Sequence, residues 1–201
     1  MIPYFTNICK LISEKIKNII KTFCEVQIYQ DVADRYRHYD ERCPSCGAKS
    51  KLDPYGSYWR HMVYYANSKI EDKRIKILRF KCKSCKKTHA LLPDVLIPYS
   101  PYSLNFKLSV LLEYFKREKT VVKICEYFGI AISTLYAWKK QLLDHKELMI
   151  GVIASKNSTI ITFLRELFDS DSLQRFFSKY NFSFLQNKRK YNQSTTQSIP
   201  P

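Results

Sequence analysis

Cys43-Pro44-Ser45-Cys46-Gly47 and Cys82-Lys83-Ser84-Cys85-Lys86 are the two stretches from which the fold of this chain is read. Each holds two thiols across two residues, and 35 residues separate Cys46 from Cys82. Two intervening residues let both sulfurs of one tight turn reach a single ion, and a second such turn, brought up by a hairpin, completes a tetrahedral shell of the kind Zn2+ prefers. The spacing predicts a structural zinc ribbon with Cys43, Cys46, Cys82 and Cys85 as ligands. The alternatives are chance pairs, two disulfides, or a redox Cys-x-x-Cys. No thioredoxin-like strand-helix pattern surrounds either pair, and no export signal is evident to suggest an oxidising compartment. Four thiolates close the coordination shell, so the metal contributes folding energy and not catalysis. Gly47 suits the positive φ that such a turn often needs; Lys86 stands at the matching place, so the second turn is expected to be made differently. Four thiolates around Zn2+ leave a formal charge of about −2, and Lys81, Lys83, Lys86 and Lys87 lie beside it to offset part of that charge. His89, four residues after Cys85, is a possible substitute ligand that four thiols make unnecessary.

Composition bounds the rest. The 201 residues are 45% hydrophobic and 14% aromatic, enough for one or two small cores, and the net charge is +16. An excess of that size points to a polyanionic partner, nucleic acid or an anionic membrane surface. Residues 41–90 hold 13 Lys and Arg against 4 Asp and Glu, so over half of the excess sits in the ribbon. No stretch approaches the ~20 apolar residues of a spanning helix, which leads to the expectation of a soluble, cytoplasmic protein. Cys9, Cys24 and Cys125 fall within apolar patterns and read as buried reduced thiols.

Outward from the cysteines, the chain divides into segments. Residues 1–40 contain an amphipathic helix over 6–23, with Ile8, Leu11, Ile12, Ile16, Ile19, Ile20 and Phe23 on one stripe, and then a polar lead-in. This helix packs on its own domain or a second copy in preference to a membrane. The ribbon occupies 41–92. Within it, Tyr58 to Tyr65 and Ile75 to Cys82 are rich in β-formers and read as the two strands of a small hairpin. The polar connection from Ala66 to Asp72 is too long for a two-residue turn, which leaves register to the metal and the alternating face. Arg60, Arg74, Lys76 and Arg79, interleaved with Tyr58, Trp59 and Tyr64, are expected to present a basic aromatic surface. Pro93, Pro98 and Pro101 make 93–102 a semi-rigid connector.

Residues 103–146 have helix-turn-helix spacing. Ser103 caps a first helix ending near Arg117, a second runs from about Thr120 to Phe128, Gly129 supplies the turn, and a third runs from Ile132 to about Leu143. Small Cys125 permits a close crossing, while Ile130, Leu135 and Trp138 seal the core. Ile132, Ser133, Thr134, Tyr136, Ala137, Lys139 and Lys140 then face outward as a recognition helix. An ordinary three-helix bundle is the competing reading: Ala131 stands where a capping Ser or Thr is usual, and Ile132 and Ala137 bring no base-reading hydrogen bonds. Residues 147–185 add two apolar-faced helices, and 186–201 form a polar tail. The fold class expected is therefore α+β, mostly helical, with a small zinc-ribbon hairpin ahead of a helix-turn-helix bundle and further C-terminal helices.

The order ribbon, Pro-rich connector, helix-turn-helix resembles the N-terminal half of bacterial insertion-sequence transposases. It looks closest to an uncharacterised bacterial family of small zinc-ribbon proteins, through Cys43 to Gly47, Tyr58-Trp59-Arg60, Arg79 to Cys85 and Thr88-His89-Ala90-Leu91-Leu92-Pro93. The resemblance covers roughly residues 40–145 and implies DNA binding tied to mobile elements. In such transposases a ribonuclease-H-like domain follows, whereas about 55 residues remain here, short of a domain of ~100. Glu147, Glu166, Asp169 and Asp171 are the carboxylates in that remainder, and helix surface charge accounts for them. The expectation is a non-enzyme that binds double-stranded DNA, Ser133, Thr134, Tyr136, Lys139 and Lys140 from the third helix, with Arg74, Lys76, Arg79 and Lys83 of the ribbon on phosphates. Rival readings are an accessory subunit for a transposase supplied in trans, self-association, or an RNA-binding ribbon.

Overall fold

The computed structural model describes residues 42–187 except 44, 67, 93–95, 151, 153–158, 170–171 and 181. The helix over 6–23 with Cys9 and Cys24, most of the polar lead-in, and the tail after 187 lie outside the described residues.

Strand β1 (Leu52–Ala66) pairs with β2 (Lys69–Cys82), which pairs with β3 (Thr88–Ala90). Along β2, Ile75 and Ile77 are buried while Arg74 and Lys76, which precede them in turn, are exposed, the two-residue period of a half-buried strand. The buried phase then moves by one residue, to Phe80 and Cys82. There β3 lies antiparallel, with Arg79 opposite Ala90, Phe80 opposite His89 and Lys81 opposite Thr88. Within β1, Gly56 has φ 83, a backbone shape of the kind that bulges use and that a side chain opposes.

Five helices are described after the sheet: α1 (Leu104–Lys116), α2 (Val121–Phe128), α3 (Ile132–Ile150), α4 (Ile160–Asp169) and α5 (Ser172–Tyr180). Ser103 Oγ accepts from Phe106 N at 3.1 Å and Thr120 Oγ1 from Lys123 N at 3.4 Å, so both N-termini are capped as their residue types suggest. Left-handed Arg117 and Gly129 end α1 and α2. The third helix continues to Ile150, past Leu143, because Leu142, His145 and Met149 keep burying the face begun by Leu135 and Trp138.

Two expectations are corrected. With strand at 29% and helix at 43%, the described residues are not mostly helical. Nor is the hairpin small: its strands run 15 and 14 residues, and a third strand joins them. Residues 69–72 fall in the predicted connection from Ala66 to Asp72, but they are strand in β2; an exposed sheet face accepts their polar side chains, and the ladder satisfies their backbone. Only two residues, Asn67 and Ser68, separate β1 from β2, and Ser68 adopts φ 59. A two-residue hairpin connection favours positive φ, so the turn chemistry helps to set register.

The contacts divide the chain into two compact units. The described part of one comprises 42–62 and Asp72–Leu96; the other comprises Val63–Glu71 and 97–187, so the hairpin tip belongs with the helices. In the sheet unit Leu52, Met62, Ile75, Ile77, Phe80, Leu91 and Leu96 are buried. In the helical unit Pro101 O accepts from Val63 N at 2.8 Å and Ser103 N donates to Val63 O at 2.9 Å, which pins the end of the Pro-rich segment along β1. Phe106, Phe128 and Trp138 meet edge to face at its centre. The apolar faces of α4 and α5 join this core, with α4 packed on α1.

Candidate metal centre and helix pair

The two cysteine turns are built alike. Gly47 N donates to Cys43 O at 2.8 Å and Cys43 N to Ala48 O at 2.9 Å; in the second, Lys86 N donates to Cys82 O and Cys82 N to Lys87 O, both at 2.9 Å. Gly47 has φ 72 and Lys86 φ 60. The expectation of a differently made second turn is thus corrected: Lys86 takes the left-handed shape that glycine takes without strain, because the same pair of hydrogen bonds requires it.

These turns bring Cys43, Cys46, Cys82 and Cys85 together, with all four Sγ atoms within 4.8 Å of one another. Among the described residues this is the one group of three or more His, Cys, Asp or Glu placed to hold a metal. Cys43 Sγ lies 3.6 Å from Cys85 Sγ, and Cys46 Sγ 3.7 Å from Cys82 Sγ. A disulfide would need about 2.05 Å, and the thiols are free. A tetrahedron with metal–sulfur bonds of about 2.3 Å has sulfurs about 3.8 Å apart, so the cluster fits a four-coordinate ion. Burial drives the Cys43 thiol up to about 12 and also raises Cys85. Burial pushes Cys82 up too, but the backbone N–H groups of Cys85 and Ser84 and the thiols of Cys43 and Cys46 outweigh it and hold Cys82 down to about 7. A cation entering the site displaces protons from the other thiols, so its binding weakens as pH falls.

His89 is the residue whose place sequence reasoning left open. Strand β3 buries it and sets its Nε2 3.3 Å from Cys43 Sγ. Burial lowers its pKa to about 4, and the Lys87 charge adds to this, so the imidazole is neutral at pH 7. With four thiols already converging, His89 is a neighbour that can donate to the Cys43 sulfur, the supporting role that residues around a metal's ligands commonly fill. Its place four residues after Cys85 was the available signal.

The predicted basic aromatic surface separates into smaller groups. Arg74 lies over Trp59, 5.7 Å from the ring centroid, and Trp59 is 58% exposed. Arg79 and Lys81 lie over Tyr55 at 5.4 and 5.0 Å. Tyr64 is buried, its hydroxyl donating to Glu71, and so leaves that surface. Lys76 is exposed, whereas Lys83 is ion-paired with Asp53 at 3.0 Å.

In the helical unit, Gly129-Ile130-Ala131 links α2 to α3, whose directions differ by 101°. Ile130 N donates to Cys125 O at 3.0 Å, and buried Cys125 and Ile130 close the corner, with burial raising the Cys125 thiol. A three-residue turn with glycine and an angle of 90–120° are the dimensions of a helix-turn-helix unit. On α3, Ile132, Ser133, Tyr136, Ala137 and Lys140 are exposed as predicted, whereas Thr134 and Lys139 are half-buried. Lys139 Nζ donates to Tyr114 Oη at 3.0 Å. Sequence reasoning did not single out Lys107 and His145. Both are buried in this unit, Lys107 Nζ donating to Leu185 O and His145 Nδ1 accepting from Leu185 N.

A four-thiol centre on an antiparallel sheet, followed by helices with a three-residue corner, defines the class of protein. Within it, residues 43–138 match the model of a family described as a domain of unknown function, DUF6431. The match opens on the first cysteine of the centre and closes on Trp138 in α3, so it takes in both features. No curated protein and no solved structure matches the chain. No single helix among the described residues is long and apolar enough to cross a membrane.

Proposed function

We propose that the chain is a non-catalytic, cytoplasmic DNA-binding protein. In this reading it holds one structural Zn2+ on Cys43, Cys46, Cys82 and Cys85 and lays α3 in the major groove of double-stranded DNA. Zinc is favoured because four soft thiolates at tetrahedral spacing suit it and leave no position for a reacting water. The single observation that carries the DNA reading is the α2–α3 corner, with its 101° angle, three-residue turn and exposed first turns of α3. That geometry presents the N-terminal residues of the second helix to base edges. The net charge of +16 supplies the sequence-independent part of the attraction. Exposed Arg74 and Lys76 are the phosphate contacts proposed for the ribbon; Lys83 is ion-paired with Asp53 and Lys139 donates to Tyr114. This function agrees with the resemblance to the DNA-reading half of insertion-sequence transposases.

The test is fluorescence anisotropy of the zinc-loaded chain on a duplex selected from a random pool and on random duplex, across a salt series. Tyr136→Ala is expected to cost about 1–3 kcal/mol on the selected duplex and little on random DNA. Lys76→Ala should weaken both alike and flatten the salt dependence by about one unit of slope. A Tyr136→Ala chain that binds the selected duplex as before would overturn the assignment of α3. A second reading, docking onto a catalytic partner protein, is favoured by exposed Val122, Tyr127 and Leu143 on the helical unit. Loss of such docking, with DNA binding kept, on changing Val122 or Leu143 would support it.

A further inference from the structure

The outer face of α3 is unusually poor in the groups that read bases by hydrogen bonding. Bidentate recognition of guanine uses Arg or Lys, and that of adenine uses Asn or Gln. From Ile132 to Trp138, the part of the helix that comes nearest to base edges in such a docking, none of these occurs. Lys139 is held by Tyr114, and Lys140 stands about 12 Å along the helix from Ile132. What this stretch offers instead is apolar. Ile132 is 44% exposed and Tyr136, one turn on, is 46% exposed, with exposed Ala137 beside them and the small hydroxyl of Ser133 between. The Tyr136 ring is braced by Tyr114 edge to face at 6.3 Å and by Lys139 at 5.9 Å, so it is pre-positioned. An exposed isoleucine has nothing to gain from a guanine or cytosine edge. The one apolar group that a base pair presents in the major groove is the thymine 5-methyl.

We propose that α3 selects A·T-rich duplex by packing Ile132, Tyr136 and Ala137 against thymine methyl groups, with Ile132 the principal specificity-determining residue. This rests on the duplex-binding reading above and deepens it by naming the chemistry that α3 recognises. Removing one thymine methyl from contact is expected to weaken binding about fourfold, the value of one buried methylene-sized group.

Deoxyuridine supplies the test, because it pairs as thymidine does and lacks only the methyl. The probes are a short duplex of A·T pairs in mixed order, the same duplex with deoxyuridine for every thymidine, and a G·C duplex of equal length, titrated with zinc-loaded full chain at one salt concentration. The expected order is A·T tightest, with the deoxyuridine duplex weaker by about fourfold or more. Ile132→Ala should shrink that gap. Ile132 is exposed, and unchanged zinc content and helical signal will show that the variant is folded. Equal binding to the thymidine and deoxyuridine duplexes overturns this inference and leaves the duplex-binding reading standing. A gap that survives Ile132→Ala overturns the assignment to Ile132. No binding to any of the duplexes overturns the duplex-binding reading and this inference with it.

Discussion

The sheet unit and the helical unit reach order by different physical means. In the helical unit, twenty buried residues from Ile97 to Leu185 form one cluster, with aromatic rings at its centre and partly buried side chains packed around it. Among the described residues of the sheet unit, two of the buried side chains, Cys43 and Cys82, belong to the candidate metal site. Many of its outward positions carry Lys or Arg. A sheet whose loops end in two converging thiol turns is one in which a bound metal adds to the folding free energy. The difference teaches where each unit is vulnerable: one to loss of an ion, the other to loss of packing.

The largest effect expected is therefore from metal removal. Structural zinc binding is worth on the order of 10–16 kcal/mol in small zinc-dependent domains, so chelation or Cys82→Ser should unfold the sheet unit and leave the helices folded. Amide hydrogen exchange separates the two: protection over 72–82 should collapse while protection in α1 and α3 persists. Persistence of the strand protection without metal would erase the contrast. The converse change is Phe106→Ala, which removes a fully buried ring that meets Tyr102, Phe128 and Trp138. It should cost about 3–5 kcal/mol, lowering the melting point of the helices without altering metal content per folded chain.

Smaller changes sharpen the comparison inside the metal site. Gly47 and Lys86 occupy equivalent left-handed positions, so substitutions there should act with opposite signs. Gly47→Ala is expected to weaken metal retention by about 1 kcal/mol, and Lys86→Gly to strengthen it by up to that amount. Competition with a chelator measures both; weaker retention in Lys86→Gly would show that the lysine's charge matters more than its backbone. The smallest effect belongs to the helical surface, where Glu113 pairs with Lys116 at 2.6 Å and Lys119 at 3.1 Å. The hydrogen bond from Lys116, with that from Lys119, holds the Glu113 carboxyl below its usual value against the opposing effect of burial. A depressed carboxylate pKa adds stability that is present above about pH 4.5 and is lost as pH falls through the folded-state value. Glu113→Gln should cost under about 1 kcal/mol at pH 7, and its melting point should converge with that of the parent in acid.

Legibility followed the range of the interactions concerned. The thiol spacing, the cap Ser103, the helix start near Thr120, Gly129 and the buried positions Leu135 and Trp138 were readable because each depends on neighbours within a turn or two. The length of the strands was not. Lys69 to Asp72 look like connection by composition, and only pairing across the hairpin makes them strand. The left-handed shape of Lys86 was hidden likewise, since its residue type argues against it and the shared turn geometry imposes it.

What the sequence by itself determined is the donor set, four thiols in two short turns, together with the corner between two helices, because both are encoded by residue types at fixed local spacing. The tertiary structure alone decided that His89 stands against Cys43, that Tyr64 is buried while Trp59 is exposed, and that the hairpin tip joins the helices. Those outcomes depend on which distant segments pack together, and a residue's type does not carry that information along the chain.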